Sequence, residues 1–115
     1  MSVRFRVFAS GRLAEQNQVN RFYPLFDPVP VGKSYVVNAM RFVNTQPTPV
    51  SFSIALGRGN STFTIFPDMK DLTLGACQCA IEDRELTLGP GEVLQARAEL
   101  PNLIDFVISG IERDA

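Results

Sequence analysis

Three groups of side chains have the types and spacing for chemistry. Gly32-Lys33-Ser34 matches the tail of a phosphate-binding loop, in which the lysine would hold nucleotide phosphates and the hydroxyl a magnesium ion. The complete motif needs a glycine where Asp27 stands and a helix after the serine, where Tyr35-Val36-Val37 is strongly β-forming. Gly32 is therefore a turn residue and Lys33 a solvated cation. Cys77 and Cys79 are two apart in an extended stretch, with Cα atoms ~6.6 Å apart by the strand rise. That separation is at the upper end of disulfide geometry. The two thiols are expected to be reduced and buried on one face with Ile81, and without histidine they cannot complete a structural zinc site. Asp68, Asp71, Glu82, Asp83 and Glu85 could supply oxygen ligands or an acid/base pair, but their spacing matches no calcium-binding loop. They are expected to be charged loop residues that discourage stray pairing at sheet edges.

The chain of 115 residues contains no histidine, which removes Ser-His-Asp hydrolases, Cys-His proteases and most metalloenzymes. No enzymatic activity, cofactor or metal is expected. Eleven basic residues against twelve acidic give a net charge of −1, unlike a nucleic-acid-binding domain. The charge is uneven. Residues 1–21 hold Arg4, Arg6, Arg12 and Arg21 against Glu15 alone, whereas residues 22–115 hold seven basic and eleven acidic side chains. Such polarity can steer the first segment onto an acidic neighbour or another copy of the chain. Met1 to Ala9 has arginines inside its apolar pattern and no stretch of signal-peptide length, so no export signal is expected and the Asn60-Ser61-Thr62 sequon carries no meaning. No window approaches the ~18 apolar residues of a membrane span.

The elements that would position these groups follow a period of two, in short segments rich in Val, Ile, Phe and Thr between Gly, Pro and Asn. Val3, Phe5 and Val7 alternate with Arg4 and Arg6, predicting a strand with its apolar side inward and its arginines outward. Residues 9–18 read as a connection. Val19 to Phe26 is an extended run whose Pro24 suits a sheet margin. After the stiff turn at 27–33, Tyr35 to Thr45 is a long strand with Val36, Asn38, Met40 and Phe42 on one side and Tyr35, Val37, Ala39, Arg41 and Val43 on the other, both sides partly apolar, implying cover on both faces. Val50, Phe52, Ile54 and Leu56 alternate with small residues, and Gly57-Arg58-Gly59-Asn60 makes a hairpin with the strand at 62–65. Gly89-Pro90-Gly91-Glu92 has the signature of a type II turn. Leu94, Ala96 and Ala98 follow it, Pro101-Asn102 breaks the chain, and Ile104, Phe106 and Ile108 alternate with Asp105, Val107 and Ser109. The prediction is an all-β, antiparallel two-sheet sandwich, jelly-roll-like, with about eight or nine strands. Residues 1–27 form an N-terminal strand or arm packing on or extending from a body at 28–115.

Of the aromatic residues, Phe5, Phe42, Phe52, Phe63 and Phe106 fit inward faces, while Phe22, Tyr23, Phe26 and Phe66 flank Pro24 and Pro67 in edge or loop sequence. The candidate protein interface is therefore Arg4, Arg6, Arg12, Arg21, Phe22, Tyr23, Phe26 and Phe66. The competing class is a carbohydrate- or receptor-binding module with Tyr23, Tyr35 or an exposed Phe stacking on sugar.

At 28–45, PVPVGKSYVVNAMRFVNT, and at 86–112, LTLGPGEVLQARAELPNLIDFVISGIE, the chain resembles small β-sandwich proteins encoded among the virion genes of tailed bacteriophages. The pattern is a Pro-Val-Gly-Lys turn, a strand ending in a Phe-Val-Asn-Thr corner, a Gly-Pro-Gly-Glu turn and a closing Ser-Gly-Ile-Glu. The resemblance implies a virion structural component, of head-decoration, tail or fibre-associated type, with no enzymatic residues. It would be assembled in the bacterial host cytoplasm, contact other virion proteins such as a capsid or tail protein, and form a homo-oligomer. Nucleic acid and membrane are not among the expected partners.

Overall fold

The computed structural model describes residues 3–13, 21–100 and 103–114. The expected connection beyond residue 13, the start of the run at Val19 and the break at Pro101-Asn102 lie outside the described residues. Among the described residues, ten antiparallel strands form two five-stranded sheets: β1 (Val3–Arg12), β2 (Tyr23–Pro24), β3 (Lys33–Asn44), β4 (Val50–Arg58), β5 (Ser61–Thr64), β6 (Leu72–Leu74), β7 (Cys79–Glu82), β8 (Leu86–Leu88), β9 (Glu92–Ala98) and β10 (Ile104–Asp114). The first sheet has the order β1-β10-β3-β7, with β8 also on β3, and the second β2-β9-β4-β5, with β6 also on β4. The chain crosses repeatedly between the sheets, which is the jelly-roll form of the sandwich.

Local chemistry explains the strands and their limits. Gly59 has φ of 59°, a conformation open to glycine at the β4–β5 hairpin. In the type II turn, Gly91 has φ of 84° and the Glu92 N–H donates to the Gly89 carbonyl at 3.1 Å. Pro24 lies on a two-residue edge strand, where its missing donor costs no interior hydrogen bond. Between the sheets, Phe42 and Phe52 meet at 4.9 Å in a core with Leu13, Val37, Met40, Ile54, Leu94, Ile104 and Ile108. Asn44 is the buried polar clamp of this core: its Nδ2 donates to the carbonyls of Thr48, Leu74 and Gly75, and its Oδ1 accepts from the Gln46 N–H.

Two bulges correct the faces expected from strict alternation. In β3 the partners step from Ala39↔Ser109 to Val37↔Gly110, leaving Asn38 as the extra residue. Inward positions are therefore Tyr35 and Val37 before the bulge and Met40 and Phe42 after it, all buried. In β1 the step from Val7↔Ser109 to Ala9↔Ile108 leaves Phe8 extra, and the strand continues to Arg12 through what read as a connection. Before that bulge the sides are opposite to expectation. Val3, Phe5 and Val7 face outward, with Phe5 83% exposed, because Arg4 and Arg6 turn to Glu112. β1 thus pairs along β10 as a full strand of the first sheet.

Other expectations also change. Phe63 is exposed on the short β5, with the Arg58 guanidinium 5.5 Å from its ring centre. Cys77 and Cys79 are both free and exposed: Cys77 occupies a turn at φ of 56° and only Cys79 belongs to β7, so no shared strand buries the pair.

Gly110 is required by close approach. A Cβ built there would lie 1.9 Å from the Val36 carbonyl oxygen, beside the β3 bulge. Gly110→Ala is expected to lower unfolding free energy by at least ~1–3 kcal/mol. Asn44→Ala should cost ~1–3 kcal/mol by stranding buried carbonyls. Chemical denaturation of each variant measures both, and wild-type midpoints would contradict these assignments.

Candidate interaction surface

The outer surfaces of the two sheets differ in kind. On the second sheet, outward positions carry Ser51, Ser53, Thr62, Thr73, Gln95 and Arg97, and they bond to one another or to neighbouring loops. Ser51 and Thr73 hydroxyls lie 2.8 Å apart, Thr62 Oγ1 donates to Gln95 Oε1 at 2.9 Å, and Arg97 donates to Asp71 at 2.9 Å. That surface satisfies itself.

On the first sheet, register across β1, β10, β3 and the β7 or β8 edge gives successive outward rows. They are Arg12–Asp105–Val43–Cys79, Ser10–Val107–Arg41–Ile81, Val7–Ser109–Ala39, Phe5–Ile111–Val36–Thr87 and Val3–Arg113–Ser34. Apolar side chains fill about half of these positions, and Val3, Phe5, Val7, Ile81 and Val107 are exposed. Shallow depressions run between these rows, one beside Phe5, Val7 and Ser109 and another beside Ala39, Ile81 and Val107. Exposed apolar patches of this kind mark association surfaces in soluble domains. Arg12 pairs with Asp105 at 3.1 Å, whereas no ion pair joins Arg41 or Arg113 to a carboxylate among the described residues.

Electrostatics explains why this side faces outward. Glu112 occupies an inward position of β10 and is buried, accepting from Arg6 Nη1 at 2.5 Å and Arg4 Nε at 3.1 Å. The Arg6 hydrogen bond, aided by the nearby Arg4 charge, holds its carboxyl below the ordinary glutamate pKa despite desolvation. Arg6 also lies 5.4 Å from the Tyr35 ring centre, and Tyr35 stacks on Phe8 with centroids 4.5 Å apart. A cleft of about 320 Å³ opens here, lined by Arg6, Phe8, Phe26, Asp27, Tyr35 and two prolines.

The eight residues expected at an interface do not converge on one patch. Arg4, Arg6 and Phe26 surround the Tyr35 end of the first sheet, and Arg12 lies in an outward row. Arg21 is exposed, Phe22 is half-buried beneath Arg97 with 5.1 Å to the ring centre, and Tyr23 is half-buried on β2. Phe66, expected at an exposed edge, is buried, with the Arg84 guanidinium 4.4 Å above its ring. The same guanidinium binds Asp68 at 2.8 Å and Glu82 at 2.6 Å, and these hydrogen bonds lower both carboxyl pKa values. Much of the acidic cluster thus closes on arginine, and no group of three or more Cys, Asp or Glu that could hold a metal occurs among the described residues. Arg41, Ile81, Val107 and Phe5 were missed as surface candidates. The signal available was the apolar content of the second side of the strands at 3–12, 33–44 and 104–114.

Compared with known proteins, the chain matches no family model, no curated protein and no solved structure.

Phe5→Ser should change unfolding free energy by less than ~0.5 kcal/mol, whereas Phe42→Ala should cost ~3–5 kcal/mol. A comparable loss at both positions would mean that Phe5 is packed. The lowered carboxyls of Glu82, Glu92 and Glu112 stabilise the fold above the unfolded glutamate pKa of ~4.3, and that contribution disappears as pH falls through their lower folded values. Thermal melts should therefore fall in midpoint below pH ~4.3. Glu112→Gln should lower the neutral-pH midpoint and flatten this decline; an unchanged acid profile would show that the carboxylate contributes nothing.

Proposed function

We propose that this chain is a non-enzymatic structural protein of a tailed-phage virion, a capsid decoration or head/tail-associated component that acts through protein–protein contacts. The observation that carries the reading is the contrast between outer surfaces: one is mostly polar and bonded to itself, the other carries the exposed Val3, Phe5, Val7, Ile81 and Val107. A rigid sandwich with one such face is suited to being held against another protein. The two segments that resemble virion sandwich proteins supply β3, β8 and most of β10 in the apolar-faced sheet and β9 in the other. Jelly rolls are used in viral shells and also in lectins, so the fold alone is only an analogy.

Sugar binding through Tyr35 is less favoured. Tyr35 is buried, with its ring stacked on Phe8 and its hydroxyl accepting from Arg6, and is poorly placed to lie flat on a saccharide. The protein functions in the virion, after assembly in the host cytoplasm, with other virion proteins as its partners.

Co-expression with the structural proteins encoded beside it, followed by purification of assembled particles, tests this reading. The chain should sediment with particles in stoichiometric amount and withstand washing. Its consistent absence from particles, while the other structural proteins assemble, would overturn the proposal.

A further inference from the structure

We propose that two copies of the chain pack face to face through the outer surface of the first sheet, about a two-fold axis lying over Ser109 and running across the strands. This names a partner for the contact surface and rests on the reading of the chain as a contact-making structural protein. The outward side chains of β10 are Asp105, Val107, Ser109, Ile111 and Arg113, an acid and a base at equal distance on either side of a small central residue. A two-fold axis over Ser109 brings each residue opposite its counterpart on the other side of the centre. Asp105 of each copy meets Arg113 of the other, Val107 meets Ile111, and Ser109 meets itself.

The other rows fit the same operation. Exposed Phe5 comes over Ser10, large against small, and Val7 meets Val7 near the axis. Arg41 lies next to the short edge strands, opposite Val36 of the second copy, which its own chain already buries, so the Arg41 methylenes lie along the seam while its head reaches water. Arg113 donates to the Ser34 hydroxyl at 3.3 Å but has no carboxylate among the described residues, so Asp105 of the second copy, already held by its own Arg12 at 3.1 Å, bridges the two cations.

Dimensions agree. Facing sheets pack ~10 Å apart, a gap that an aspartate and an arginine reaching toward each other can span. A crossing angle of about 30° displaces the strand ends by only about 7 Å, within the reach of the arginine. Asp105 to Arg113 spans about 26 Å at the strand rise and four strands about 19 Å, a flat footprint of about 500 Å² per copy. The pair buries about 1,000 Å², the area at which specific association begins. The expected product is a reversible dimer.

Sedimentation velocity over a concentration series, on the full chain with both cysteines replaced by serine, tests the arrangement. The starting protein should show a monomer–dimer equilibrium. Asp105→Arg and Arg113→Asp should each weaken it at least about tenfold by placing like charges in opposition. The double exchange should restore dimerisation, and Ser109→Glu should abolish it with little change in melting temperature. A chain monomeric at every concentration overturns the proposal, as does a dimer indifferent to the single exchanges or a double exchange without rescue. A monomer that still enters particles would refute only the dimer; a dimer excluded from particles would refute only the virion role.

Discussion

A carboxylate at an inward position of a central strand constrains much of this molecule. Glu112 shares its side of β10 with Ile104, Phe106 and Ile108, and a charge there is tolerable only with cations beside it. Arg4 and Arg6 provide them from the neighbouring strand. Because strand side chains alternate, turning these arginines toward Glu112 turns Val3, Phe5 and Val7 toward solvent. The apolar outer surface and the ion pair beneath it therefore have one origin.

Much of the fold was legible in the sequence because strand patterns and turn chemistry are local. The Gly57–Asn60 hairpin, the turn at Gly89–Glu92, the marginal position of Pro24 and the Ile104-Phe106-Ile108 face all depend on residues close together in the chain. The side of β1 that faces inward does not. Alternation defines two faces of a strand without saying which is inside, and the residue that decides it, Glu112, is more than one hundred positions from Arg4 and Arg6. Bulges at Phe8 and Asn38 are similarly hidden, since each depends on a mismatch with β10. Phe63 and Phe66 show the same limit in short elements: β5 exposes the first, while the turn after it buries the second beneath Arg84.

The apolar outer face of the first sheet was only partly legible. Charge and aromatic content drew attention to Arg4, Arg6 and Phe66, but these side chains are engaged within the molecule. The side chains that remain available are less conspicuous: valines, isoleucines, Arg41 and Arg113 distributed over 3–12, 33–44 and 104–114. Only the register of three sequence-distant strands assembles them into rows.

Where the molecule can associate is governed by the difference between its sheet faces and its edges. A long uncovered edge invites pairing with any extended chain, and these edges are guarded. The edge strand β1 is interrupted by the bulge at Phe8 and carries Arg4, while β2, β7 and β8 span only two, four and three residues. The long strands β3 and β10 lie side by side inside the first sheet, so their backbone groups are paired and their outward side chains form an extended surface. Contact through that face selects a partner by side-chain shape and charge. Pairing through an edge would rely chiefly on backbone hydrogen bonds, which discriminate weakly among sequences. The short or interrupted edges therefore favour a specific association across the face over indiscriminate strand addition.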